Sequence, residues 1–181
     1  MTLTVQSATP PDADTLAGIE AEVWRDAYPA LVPRGYLIVR LAPQRRRAIW
    51  RRRLATPAKR IRIVVAREDT DGDIIAYATF GPSRWPALAF EGEIHELYVR
   101  PGHQGRGHGR ALVGWIAERL LEARVSSLCV EVLTGNNSRF FYEALGGRLA
   151  AHGEHALAGV TLPTLVYGWQ DVGMLAKANA V

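Results

Sequence analysis

The residues best suited to chemistry lie between Glu93 and Leu112, in E-I-H-E-L-Y-V-R-P-G-H-Q-G-R-G-H-G-R-A-L. Gln104 to Gly109 places three glycines in six residues, just before a stretch of helical period. Glycines let backbone come close to a ligand, and the N–H groups and dipole of a helix start favour negative charge. The chemistry on offer is therefore phosphate binding. Ahead of the loop, Glu93 to Val99 reads as a strand, broken by Pro101, which cannot donate to a sheet, and by Gly102. That strand carries three proton acceptors. Glu93 shares a face with His95, Leu97 and Val99, and Glu96 points to the other. The glycines do not fit G-x-G-x-x-G with a following acid, and no Gly-Lys-Ser/Thr follows, so neither a dinucleotide fingerprint nor a Walker loop is present. Taken alone, the loop fits a ligand-free strand–helix turn equally well.

The elements that must position this stretch follow from the rest of the chain. Its 181 residues suffice for one domain with a full core. The net charge of +4 suits an anionic ligand and is too weak to argue for nucleic acid. Cys129 is the only cysteine, so no internal disulfide forms. The N-terminus lacks a signal-peptide pattern, and the longest uncharged run, from Ala156 up to the charged Asp171, is too short and too broken for a bilayer span. A cytoplasmic protein with no membrane partner is expected.

Leu3 and Val5 mark an edge strand, and Thr9-Pro10-Pro11 starts a helix reaching Tyr28. A short helix is expected over Tyr36–Leu41 and another over Pro43–Leu54, closed by Thr56-Pro57, with its arginines on a solvated face. Ile61–Ala66 and Ile74–Phe80 read as a hairpin turning through D-T-D-G-D. After the glycine loop come a helix from Gly107 to about Arg124, a strand over Leu128–Leu133, and a short helix capped by Asn136-Asn137-Ser138. The last strands are Arg148–Ala151 and Leu162–Trp169, joined by a loop with His152 and His155. The class is α/β or α+β, and the crossover from Glu93–Val99 to Leu128–Leu133 requires parallel strands.

Gln104-x-x-Gly107-x-Gly109 resembles the acyl-CoA loop of the GNAT superfamily of N-acetyltransferases, Q/R-x-x-G-x-G/A. Downstream, G-N-N-S-R-F-F-Y-E-A-L-G-G-R resembles the family's Asn, spacer and F-Y-E-x-L-G segment. Upstream, Trp24-Arg25-x-x-Tyr28, Leu31-Val32-Pro33, Trp50 and Gly81-Pro82-Ser83-Arg84 are similar to a bacterial branch of it. The resemblance implies one acetyltransferase domain over residues 1–170, with a loosely held tail over 171–181. It implies a mixed, mostly antiparallel sheet flanked by helices, with one splayed parallel pair. It also implies an acetyl-CoA-dependent transfer to a primary amine by direct attack in a ternary complex. No metal is expected, because His152-x-Glu154-His155 has no further ligands at useful spacing.

In that family pattern, Gln104, Gly105, Arg106, Gly107, His108, Gly109 and Arg110 hold the pyrophosphate, the backbone of Leu97, Tyr98 and Val99 pairs with the pantetheine arm, and Asn136 or Asn137 adds a contact. Tyr142 matches the general acid and Glu93 the preferred base, with Glu96 and His95 as alternatives. Trp24, Tyr28 and Tyr36 fall where the acceptor pocket lies. The amine, the acyl length and the oligomeric state stay open, although homodimers are common in the family. A non-catalytic acyl-CoA sensor of the same fold is the alternative.

Overall fold

The computed structural model describes residues 3–56, 58–68, 72–157 and 159–177. Pro57 and the turn residues Asp69, Thr70 and Asp71 lie outside them. The strands form one seven-stranded sheet in the order β1-β2-β3-β4-β5-β7-β6. These are β1 (Leu3–Ser7), β2 (Arg62–Glu68), β3 (Ile74–Pro82), β4 (Gly92–Val99), β5 (Leu128–Leu133), β6 (Arg148–Leu157) and β7 (Val160–Trp169). The helices are α1 (Ala13–Ala27), α2 (Arg34–Arg40), α3 (Pro43–Ala55), α4 (His108–Glu122), α5 (Ser138–Ala144) and α6 (Gly173–Lys177). β1/β2, β5/β7 and β6/β7 are antiparallel, and β4/β5 is parallel, in the register Gly92↔Leu128 to Ile94↔Val130. β4 itself runs on to Val99. No helix among the described residues is long and apolar enough to cross a membrane.

The chain forms two compact units, Met1–Thr79 with Glu96–Leu112 and Phe80–His95 with Val113–Val181. In the first, the α1 residues Leu16, Ile19 and Val23 pack with Trp50 and Leu54 of α3 and Val65, Ile74 and Tyr77 of the sheet. Trp50 and Tyr77 meet edge to face at 5.0 Å, worth about 0.5–1.5 kcal/mol beyond their burial. Inside this core lies a charge cluster. The fully buried Glu20 accepts from Trp50 Nε1 at 2.9 Å and pairs with Arg40 at 2.9 Å and Arg46 at 3.2 Å. Arg46 therefore leaves the solvated face that the arginine-rich pattern suggests. A carboxylate buried this deeply requires cations beside it.

In the second unit β5 and β7 carry the core, where Cys129, Val166 and Phe90 pack together. A Cβ on Gly168 would collide with the Phe90 ring, so only glycine fits there. β6 runs to Leu157, so His152 and His155 sit on a strand rather than in the expected loop. Its residues are almost all exposed or half-buried, and no apolar alternation marks it. After Gln170, where a loose tail is expected, Val172 and Leu175 are buried and Gly173–Lys177 form α6.

Candidate functional site

The glycine loop belongs to the first unit. β4 ends at Val99, Pro101–His103 make a 3-10 turn, and α4 starts at His108. Gln104 Nε2 donates to the Val99 carbonyl at 3.0 Å, fixing the loop to the end of the strand. Gly105 and Gly107 have φ of 72° and 87°, the left-handed region that side chains resist. Beyond the adjoining residues, no heavy atom of the described residues stands within 4 Å of where either Cβ would be, so the turn opens on free space. Ala111 N–H bonds to the Gly107 carbonyl at 3.0 Å, the first turn of α4. The amides before it have no acceptor four residues back within the helix, which leaves them for an anion. Arg106 and Arg110 flank them, exposed. Burial pushes the half-buried His108 imidazole below its usual pKa; Glu68 opposes this, and His103 and Arg106 add to it.

On β4, Leu97, Tyr98 and Val99 are half-buried. The Tyr98 hydroxyl accepts from Trp24 Nε1 at 3.0 Å. Trp24 stacks on Tyr28 with centroids 4.1 Å apart, and Tyr36 lies 6.4 Å away, so all three expected acceptor-side aromatics come together. Arg40 joins them: its guanidinium lies 3.9 Å from the Trp24 ring and donates to the Tyr36 hydroxyl and to Glu20. Nothing in the sequence ties Arg40 to Trp24, because the contact arises only when α2 folds back on α1. Glu96 accepts from Arg53 and from the Thr79 hydroxyl.

The second unit holds the remaining candidates. Glu93 is fully buried. Its Oε2 accepts the Arg84 backbone N–H at 2.7 Å, and Oε1 accepts the Arg84 guanidinium. The pairing raises the Arg84 pKa above its ordinary value, chiefly through the hydrogen bond to Glu93. His95 Nε2 lies 3.1 Å from the Pro82 carbonyl and 3.8 Å from Glu93 Oε2. Both are acceptors, so in the neutral ring the proton belongs on Nε2 and the basic lone pair on Nδ1. Asn136 Oδ1 accepts the N–H of Ser138, the first residue of α5, at 2.9 Å, an Asx turn just ahead of the Asn137 cap. Tyr142 is buried on α5, edge to face with Trp169 at 6.3 Å. Cys129 is buried beside Ser83, and burial pushes its thiol up to about 11, which suits a core side chain rather than a nucleophile.

The Acetyltransferase (GNAT) family model matches residues 22–147. The chain is 31% identical over 173 residues, 96% of each chain, to the uncharacterized N-acetyltransferase YuaI of Bacillus subtilis. Among solved structures it is similar to a GNAT-family protein from Desulfovibrio desulfuricans, at TM-score 0.69 and 20% identity over 94% of this chain and 99% of that one. It is also similar to YncA from Salmonella typhimurium, solved with acetyl-CoA, at TM-score 0.65 and 18% identity over 94% of each chain. Glycine loop, parallel crossover and these likenesses agree, and the chain belongs to the GNAT family of acetyltransferases.

Proposed function

We propose that the protein transfers an acetyl group from acetyl-CoA to a primary amine by direct attack within a ternary complex. The observation that carries this reading is the Gln104–Gly109 turn, with two left-handed glycines facing open space at the start of α4. Amides there, with Arg106 and Arg110, would hold the pyrophosphate. The register between β4 and β5 stops at Ile94, so the backbone of Leu97, Tyr98 and Val99 is available to pair with the amides of the pantetheine arm. Such an N–H also polarises the thioester carbonyl as the amine attacks. Asn136 would add a contact to the cofactor, and Trp24, Tyr28 and Tyr36 would line the acceptor side.

The amine must lose a proton to attack. In the first reading Glu93 takes it. A second reading is favoured by the hold Arg84 has on both Glu93 oxygens. Here His95 Nδ1 takes the proton and Glu93 steadies the imidazolium. Tyr142 supplies a proton to the departing thiolate, and because a thiolate leaves readily its share falls at the low end of the roughly 10²–10⁴-fold that a positioned general acid contributes. The bond changes of the transfer need no metal.

The test is an amine panel with acetyl-CoA, read as CoA release, alongside melting with CoA. Ligand at ~100 times its Kd adds roughly 2.7 kcal/mol. Acetylation of one amine class together with that stabilisation supports the reading. CoA stabilisation without transfer across the panel turns it into an acyl-CoA sensor, and no stabilisation at millimolar CoA overturns both.

A further inference from the structure

We propose that Glu68, His103 and His108 form a binding site for a divalent transition-metal ion, zinc foremost, which ties both ends of the Gln104–Gly107 turn to β2. Glu68 is the last residue of β2, His103 ends the 3-10 turn before the glycines, and His108 opens α4 after them. One ligand atom from each lies within 4.8 Å of the others. All three residues belong to the first compact unit.

The second observation is what these atoms lack. Glu68 is 7% exposed. Glu68 Oε1, His103 Nδ1 and His108 Nε2 are all buried, and none makes a hydrogen bond among the described residues. Glu68 Oε1 and His103 Nδ1 stand 3.3 Å apart, so a histidine–carboxylate ion pair is the competing use of two of them. That pair leaves the buried His108 Nε2 without a hydrogen bond among the described residues. A metal accounts for all three. Two imidazole nitrogens and one carboxylate oxygen are the donor set of open zinc sites, which complete their shell with water. Bonds of about 2.0–2.2 Å require the side chains to close in by small rotations.

The residues are far apart in sequence, with Glu68 on a strand well before the loop, and their spacing shows no metal signature. His152, Glu154 and His155 have the closer spacing, yet they stand along the edge strand β6. A metal at the loop would order it and add positive charge beside the proposed phosphate cradle. If the proposed function holds, metal and CoA then strengthen each other's binding by the same factor. Metal binding itself does not depend on that reading.

The full-length, untagged chain, stripped with a chelator, is titrated with zinc by calorimetry and against a chromogenic competitor. One zinc per chain at micromolar affinity or tighter is expected. His103→Gln and His108→Gln should each weaken it by more than the ~10–100-fold that losing an outer-shell partner costs. His152→Gln and His155→Gln should leave it unchanged, and circular dichroism checks that each variant folds. A cobalt-loaded sample should show visible ligand-field bands that both loop variants lose. The proposal is overturned by absence of stoichiometric binding, by zinc affinity that survives the His103/His108 double substitution, or by loss that follows His152 and His155 instead.

Discussion

Glu93 and Glu96 stand on one strand, point to opposite faces, and each is held by an arginine, yet they are held differently. Glu93 is 0% exposed, and Arg84 reaches it through both its backbone N–H and its side chain. Glu96 keeps 21% of its side-chain surface and accepts from both Arg53 and the Thr79 hydroxyl. Arg53 in turn lies 4.1 Å from the Trp50 ring, so it also covers core. What differs is water. A carboxylate with no solvent depends on every partner it has, whereas one at the margin can exchange a lost partner for hydration. This makes Glu93 the better-fixed group for positioning a neighbour such as His95, and Glu96 the better-hydrated one.

Removing each cation measures the contrast. Arg84→Ala leaves Glu93 buried with a single backbone donor, and we expect a loss of about 2–4 kcal/mol, roughly 4–16 °C in Tm. Arg53→Ala should cost about 1–2 kcal/mol, from the ring contact and a partly hydrated ion pair. A denaturant series in which Arg53→Ala costs more than Arg84→Ala would invert the ranking by burial. The Arg51–Asp14 pair is the exposed reference, with side chains 65% and 47% exposed. Arg51→Ala should change stability by less than about 1 kcal/mol, and added salt should erase the difference.

The smallest effect belongs to Glu91, a fully exposed carboxylate. The Ser126 backbone N–H, then its hydroxyl, hold it ionised and bring its pKa below the usual range. A lowered carboxylate pKa stabilises the fold above the unfolded value and loses that contribution as pH falls through the folded one. An NMR titration should find Glu91 below ordinary glutamates, with Ser126→Ala moving it only part of the way back, since the backbone donor remains. A Glu91 that titrates like any exposed glutamate would remove the role of Ser126.

Much of this architecture is legible from residue order. β5 falls at Leu128–Leu133 because Leu128, Val130 and Val132 alternate with Cys129 and Glu131, and helices α1, α3 and α4 show their apolar periods. The loop is legible because three glycines so close together disfavour both strand and helix interior, so the chain has to turn there. The ion clusters are not. In the sequence Glu20, beside Glu22 and Asp26, reads equally as an acid that favours a cationic amine or as part of a solvated helix face, and only the packing of α2 and α3 over α1 buries it among Arg40, Arg46 and Trp50. β6 escapes detection because an edge strand with little burial has no face to announce itself. The hold of Arg84 on Glu93 needs the intervening chain to fold back, which periodicity does not register.

The bond from Gln104 to the Val99 carbonyl has a consequence for which residues position 104 admits. A carbonyl oxygen can only accept, so the side chain there must donate and must be long enough to reach back across the turn. Glutamine and arginine satisfy both conditions. Glutamate, nearly identical in shape to glutamine, would set oxygen against oxygen and release the loop. The Q/R alternation that opens the family's loop pattern thus reads, in this chain, as a rule of polarity: the strand's last carbonyl selects a donor.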